Sequence, residues 1–290
     1  MVTLYISAKL FPKNICVYKE KLVLLHCELC NFLLTMHRIV VKVGSNVLTT
    51  DKGKLDITRL SAIVDQIAWL KEHRYQVILV SSGAVACGRQ ELKVEYELDS
   101  VEQRQLFSAM GQVKLVNLYY DLFREYGLHI GQVLTMKENF EAGEQYKNQH
   151  NCMELMLDND VIPVVNENDT VCLTELMFTD NDELSGLIAK MMKAETLILL
   201  SNIDGIYTGD PKNPESEVIR QVLPEDDLNK YIQTSKSSAG RGGMESKYNT
   251  ARSVANAGIK VIIANGKRDN ILPALMTDPE NTVHTEFVAK

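Results

Sequence analysis

The stretch RIVVKVGSN, Arg38 to Asn46, is a run of β-branched residues interrupted by one lysine and closed by a glycine. An apolar run of this length with a single polar interruption and without strict alternation belongs to a strand buried on both faces, and such a strand needs helices on either side. Downstream, Asp56 is placed to cap a helix on which Ile57, Leu60, Val64 and Ile67 recur at helical spacing. The pattern then repeats, with strands expected over 76–80, 128–134, 161–165, 196–200 and 259–264. Helices are expected over 101–125, through 153–157, on the face formed by Leu184, Leu187, Ile188 and Met191, and over 245–257. Strands alternating with helices predict an α/β fold, a three-layer αβα sandwich around a mainly parallel sheet. The polar, Gly- and Ser-rich region 211–243 contains the longest expected loop, and no internal repeat is visible.

Composition narrows the function. The 290 residues are 45% hydrophobic, enough for one large core or two modest ones. Lys plus Arg number 31 against 38 acidic residues, and a net charge of −7 argues against a nucleic-acid-binding surface. Six cysteines, irregularly spaced, make no disulfide framework and point to a reducing, cytoplasmic compartment. Residues 1–35 differ in composition and hold the run LVLLHCELCNFLL, which His26, Glu28 and Asn31 interrupt. That run falls short of the roughly 20 apolar residues that span a bilayer and lacks a small-residue cleavage site, so neither a membrane span nor a targeting segment is expected. Residues 1–35 read as an N-terminal extension, either a poorly ordered arm or an upstream start, and 36–290 as the folded domain. Cys27 and Cys30 lack a second Cys/His pair at zinc-finger spacing and read as inert thiols.

In parallel sheets, ligands bind where strands end and helices begin, and four such junctions carry unusual chemistry. Lys42 sits inside an apolar strand, which is costly unless its ammonium emerges at a polar site, and Gly44 lets backbone approach an anion. A snorkelling edge lysine is the competing reading. Ser81-Ser82-Gly83 opens a helix, where small residues offer amides and hydroxyls to an anion. The following GAVACGRQ imitates a P-loop but has Arg89 and Gln90 where lysine and Ser or Thr belong, so a nucleotide site must be built otherwise. Two amide-and-carboxylate clusters, Asn166 to Asp169 and Asp180 to Glu183, flank an apolar spacer able to form a hairpin, and exceed what one helix cap requires. A calcium loop is excluded, because Leu184 and Ser185 fall where a ligand and the turn glycine belong. Finally, Gly240 to Lys247 is a glycine-rich loop entering a helix, with Lys247 in the first turns, where the helix dipole disfavours a cation unless an anion offsets it.

Read together, KVGSNVLT, VSSGAVACG, PVVNENDTV, TDNDELSG, LLSNIDGIYTGDP and GRGGMESK stand in the order and at roughly the spacing of the amino acid kinase family. From about Arg38 to Phe287 the chain resembles the branch acting on free glutamate. The resemblance implies transfer of the γ-phosphoryl group of ATP to the γ-carboxylate of L-glutamate, giving glutamyl 5-phosphate, the first step toward proline. It also implies that Lys42 and Lys247 flank the phosphoryl group, that Asp182 holds both lysines, and that Gly44 offers its amide to phosphate oxygens. Ser82, Asp169 and Asn181 correspond to glutamate-binding residues, with Asn166 in support. Ser201, Asn202, Gly242, Gly243 and Met244, together with Lys42, Gly44 and Lys247, match nucleotide positions. Mg²⁺ would be carried with ATP, with no resident metal. A homo-oligomer and functional coupling to a glutamyl phosphate reductase are implied as partners.

The chain departs from the pattern at Ser201-Asn202, where many relatives have Thr-Asp, and at Arg241, where they often have Thr. Many relatives also continue into a PUA domain, for which this sequence has no room. A sibling kinase acting on acetylglutamate, aspartate or UMP, a noncatalytic amino-acid sensor on the same fold, and a redox role for the N-terminal cysteines are the alternatives.

Overall fold

Side-chain alternation along strand β1 (His37–Val43) separates two cores. Ile39, Val41 and Val43 enter one hydrophobic cluster and Val40 enters the other, so Lys42 shares the face of Val40. The computed structural model describes residues 36–171, 178, 180–232 and 243–290; the expected extension 1–35 and the expected hairpin spacer over 172–177 and 179 lie outside them.

The remaining elements follow in chain order: α1 (Ser45–Leu48), α2 (Ile57–Glu72), β2 (Tyr75–Ser81), α3 (Ala84–Glu91), α4 (Ser100–Arg124) and β3 (His129–Thr135). A 3₁₀ turn (Lys137–Phe140) leads to α5 (Glu144–Asp158), β4 (Val161–Glu167), α6 (Asn181–Met191) and β5 (Thr196–Ser201). Then come β6 (Gln221–Val222), α7 (Asn229–Ile232), α8 (Met244–Ala255), β7 (Lys260–Asn265), α9 (Ile271–Thr277) and β8 (Thr285–Phe287). The sheet order is β3-β4-β2-β1-β5-β7-β8-β6, and every pairing is parallel except β7 with β8. Helices α2, α4 and α9 cover the face of Ile39, while α5, α6 and α8 cover the face of Val40. This is the three-layer αβα sandwich expected from the strand–helix alternation.

The local signals explain most boundaries. Asp56 accepts from the Arg59 amide at the start of α2, and Asp99 with Glu102 forms a capping box that opens α4. The expected long loop is interrupted, because β6, α7 and a Tyr207–Val218 bridge fall between β5 and α8. Two-residue and four-residue elements carry too little periodicity to be read from sequence. Gly88, the apparent P-loop glycine, has a packing role instead. A Cβ there would lie 1.9 Å from Phe107 O, and one at Gly111 1.8 Å from Ala84 O, so the backbones of α3 and α4 touch through two glycines.

Candidate active site

Lys42 near the end of β1 and Asp182 in the first turn of α6 lie on the same side of the sheet as α8, which carries Lys247. Asp182 is fully buried; Lys42 Nζ stands 2.6 Å from its Oδ1, and Lys247 Nζ donates to its Oδ2 at 2.9 Å. Burial pushes the Asp182 carboxyl up, but the charges of Lys42 and Lys247 outweigh it and hold the group below the usual carboxylate range. Gly186, one turn further along α6, permits this approach: a Cβ there would meet Thr250 Cγ2 of α8 at 2.8 Å. Two ammonium groups sharing one carboxylate leave this buried group of three with a net positive charge, suited to an anion.

Asp180 caps α6, its Oδ1 accepting from the amides of Asp182 and Glu183 at 2.9 and 3.0 Å. Burial and the neighbouring Asp182 charge raise its carboxyl above the usual range.

A continuous amide network lies next to the lysines. Asn181 Nδ2 donates to Ser82 Oγ at 3.1 Å, to Asn166 Oδ1 at 3.0 Å and to the Ser81 carbonyl at 3.0 Å. Asn166 Nδ2 in turn donates to Gln112 Oε1 of α4 at 3.0 Å. Residues from the ends of β2 and β4 and the start of α6 are thus joined side chain to side chain. Asp169, two residues past β4, is reached through Arg104 of α4, whose Nε donates to Asp169 and whose Nη2 donates to Glu167. Burial raises the Glu167 carboxyl above its usual range despite the Arg104 charge, and its Oε1 accepts from the Phe178 amide at 3.0 Å. A cleft of about 390 Å³ opens beside this end, lined by Ser108, Gln112, Gln132, Glu167, Asn168 and Asp169 among others.

On the nucleotide side, Gly44 follows β1 directly. Its amide donates to the Leu200 carbonyl at 3.2 Å, and a Cβ there would stand 3.3 Å from that oxygen and 3.5 Å from Lys42 Nζ, so glycine lets the end of β1 lie close against β5. Ser201 ends β5 with Asn202 beside it, and Gly243 caps α8 through its backbone, with Met244 as the first helical residue. Gly242 lies outside the described residues. Among the described residues, no three His, Cys, Asp or Glu side chains converge as a metal cage, and no helix is long and apolar enough to cross a membrane.

Three features escaped the sequence reading. Arg104 stands in the second turn of α4, and a cation so near a helix N-terminus is the signal that singled out Lys247. Gln112 is buried and its Nε2 has no partner among the described residues. Asp204 accepts from Arg268 Nε at 2.6 Å and Nη2 at 2.9 Å and from Asn265 Nδ2 at 3.0 Å, tying the loop after β5 to the end of β7. Arg268 holds its carboxyl below the usual range.

A parallel αβα sandwich with a lysine–aspartate–lysine cluster over the strand ends, and no P-loop, defines a class of phosphoryl-transfer proteins. Residues 37–265 match the amino acid kinase family, and the chain belongs to it. It is 63% identical over 251 residues to a glutamate 5-kinase of Bacteroides thetaiotaomicron, covering 87% of this chain and 70% of that protein. It is 45% identical to a glutamate 5-kinase of Chlorobaculum tepidum, covering 87% and 69%. Carbamate kinase from Giardia lamblia bound to AMP-PNP shares the fold with a TM-score of 0.64 at 15% identity, over 88% of this chain and 99% of that one.

Proposed function

We propose that the chain transfers the γ-phosphoryl group of ATP to the γ-carboxylate of L-glutamate, forming glutamyl 5-phosphate and ADP, the entry step toward proline. The observation that carries this reading is the buried Asp182 held between Lys42 and Lys247, beside the Ser82–Asn181–Asn166 network. The attacking γ-carboxylate is already ionised at neutral pH, so no general base is needed. Its oxygen forms the new bond to the γ-phosphorus as the bond to the β,γ-bridging oxygen breaks and the electron pair leaves with ADP. The protein's part is to position the reactants and neutralise charge on the equatorial oxygens. Lys42 and Lys247 supply that neutralisation, and Asp182 keeps both ammonium groups aimed. Mg²⁺ arrives with the nucleotide, as suits a cation that keeps much of its water. Gly44, Ser201, Asn202, Gly242, Gly243 and Met244 border the nucleotide, with Gly44 releasing Leu200 if its amide is to reach a phosphate.

At the acceptor end, Asp169 pairs with the α-ammonium, and Ser82, Asn181 and Asn166 hold the rest of glutamate. The free thiols Cys87 and Cys152 fit a reducing cytoplasm. A homo-oligomer belongs to the same reading; Val113 and Leu134 are exposed but line the cleft beside Gln112, which leaves Tyr120 as the exposed aromatic of α4 outside it. The labile acyl phosphate calls for prompt consumption by a glutamyl phosphate reductase.

The test is an ATP-dependent hydroxamate assay with glutamate, N-acetylglutamate and aspartate, whose acyl phosphates react with hydroxylamine, and release of ADP with UMP, whose product does not. Glutamate is expected to react. Acetylation removes the cation facing Asp169, and polar sites reject analogues that leave a partner unpaired by about 10⁴ in favourable cases. Comparable turnover of N-acetylglutamate would move the chain to a sibling activity of the same family.

A further inference from the structure

Asp169, the proposed ammonium anchor, is already engaged by a cation. Arg104 spans two carboxylates with one edge of its guanidinium, Nε on Asp169 and Nη2 on Glu167, and all three side chains are nearly out of solvent at 17%, 10% and 4% exposure. A structural ion pair needs one carboxylate. Here the second carboxylate is the residue expected to meet the substrate, whereas Glu167 is locked from its other oxygen by the Phe178 amide. Arg104 therefore bridges a carboxylate that is anchored elsewhere and a carboxylate that the substrate must also claim.

We propose that Arg104 is a specificity-determining residue that receives the α-carboxylate of the acceptor amino acid, exchanging its bond to Asp169 for one to the substrate while Glu167 holds it in place; this rests on the glutamate reading above. The exchange conserves charge pairing. The internal Arg104–Asp169 pair is replaced by ammonium on Asp169 and carboxylate on Arg104, so no buried charge is stranded. A zwitterionic α-carbon brings no net charge to a cluster of one cation and two carboxylates, whereas an N-acylated amino acid brings a negative charge and no cation for Asp169. Guanidinium suits the task, because its planar fork can hold two carboxylates at once. Gln112 supplies an independent sign that this end is built for a ligand: its Nε2 is buried and without a partner among the described residues, and it lines the cleft with Glu167 and Asp169.

The test compares L-glutamate with 4-aminobutyrate, which keeps the reacting carboxylate and the ammonium but lacks the α-carboxylate. The wild-type chain, Arg104→Gln, Arg104→Lys and the double variant Arg104→Gln/Glu167→Gln are assayed for hydroxamate formation, with inhibition constants against glutamate where turnover of 4-aminobutyrate is too slow. Arg104→Gln should raise KM for glutamate on the order of 10²-fold, the scale of one charged hydrogen bond, with kcat and the KM for ATP nearly unchanged. Arg104→Lys should fall between it and wild type. On 4-aminobutyrate, Arg104→Gln should show none of that loss, because the group that Arg104 reads is absent and the guanidinium no longer competes with the ammonium for Asp169. The double variant removes the stranded Glu167 charge and should keep the glutamate defect, which decides the matter even if the single variant folds poorly. Equal losses on both substrates, an unchanged KM for glutamate, or recovery of KM in the double variant would each overturn the proposal. Failure of the wild-type chain to convert glutamate at all is a different result and overturns the function itself.

Discussion

Asp182 has no solvent exposure and meets an ammonium group at each oxygen, so its removal leaves two buried cations without their shared partner. Breaking a buried pair in this way costs about 3 to 5 kcal/mol, and Asp182→Asn should show that loss in denaturant unfolding at neutral pH. The sign of its pH dependence follows from the lowered carboxyl. Its stabilisation is fully present above the unfolded-state value of about 4 and is lost as pH falls through the lower folded value. The stability gap between wild type and Asp182→Asn should therefore begin to narrow as pH falls below about 4 and go on narrowing through the lower folded value; a gap that closed near neutrality would contradict the assignment. Lys42→Met and Lys247→Met should each lower kcat by about 10² to 10³ while changing KM for glutamate far less, because each charge acts on the transition state. Steady-state kinetics on purified variants that retain the wild-type fold would reveal a near-normal kcat if the lysines merely support structure.

At the scale of elements, the site depends on helices that approach more closely than ordinary side chains allow. Helices α3 and α4 meet backbone to backbone at Gly88 and Gly111, and α4 in turn supplies Arg104 and Gln112 to the acceptor end and joins β2 through Tyr119 OH and Ser81 Oγ at 2.8 Å. The atoms a new methyl would strike at Gly111, Ala84 O at 1.8 Å and Gly88 N at 2.4 Å, are backbone and cannot swing aside. Gly111→Ala should cost about 1 to 3 kcal/mol or more through overpacking, seen as a lowered Tm, and should raise KM for glutamate by shifting α4. A variant with unchanged Tm would mean that the two helices can separate without loss. The glycines were visible in the sequence, but their purpose was not: GAVACG invited a phosphate-loop comparison, and the helix facing Gly88 is what gives it a use.

For the whole molecule, the match to the amino acid kinase family begins at residue 37, where β1 also begins. A chain starting at Met36 is proposed to keep the activity and the Tm of the full chain, and a large loss of either on side-by-side purification would refute it. Alternation of apolar strands with amphipathic helices determined the layers by itself, because burial on two faces and helical spacing are local patterns. The Asp56 cap and the lysine set into β1 were legible for the same reason, whereas the Asp99 cap was found only with the structure. Element lengths of two to four residues were not, and neither was the antiparallel β8, whose place is set by pairing with β7 and β6. Motif order marked Lys42, Ser82, Asn166, Asp169, Asn181, Asp182 and Lys247 as members of one site. The resemblance implied that Asp182 holds both lysines, which the geometry shows; only tertiary structure decided that Asn181 meets both Ser82 and Asn166 and that Asp169 meets the Arg104 of a helix more than sixty positions earlier. Local sequence sets a residue's element and face, whereas a charge finds its partner across the sheet only after the layers have packed.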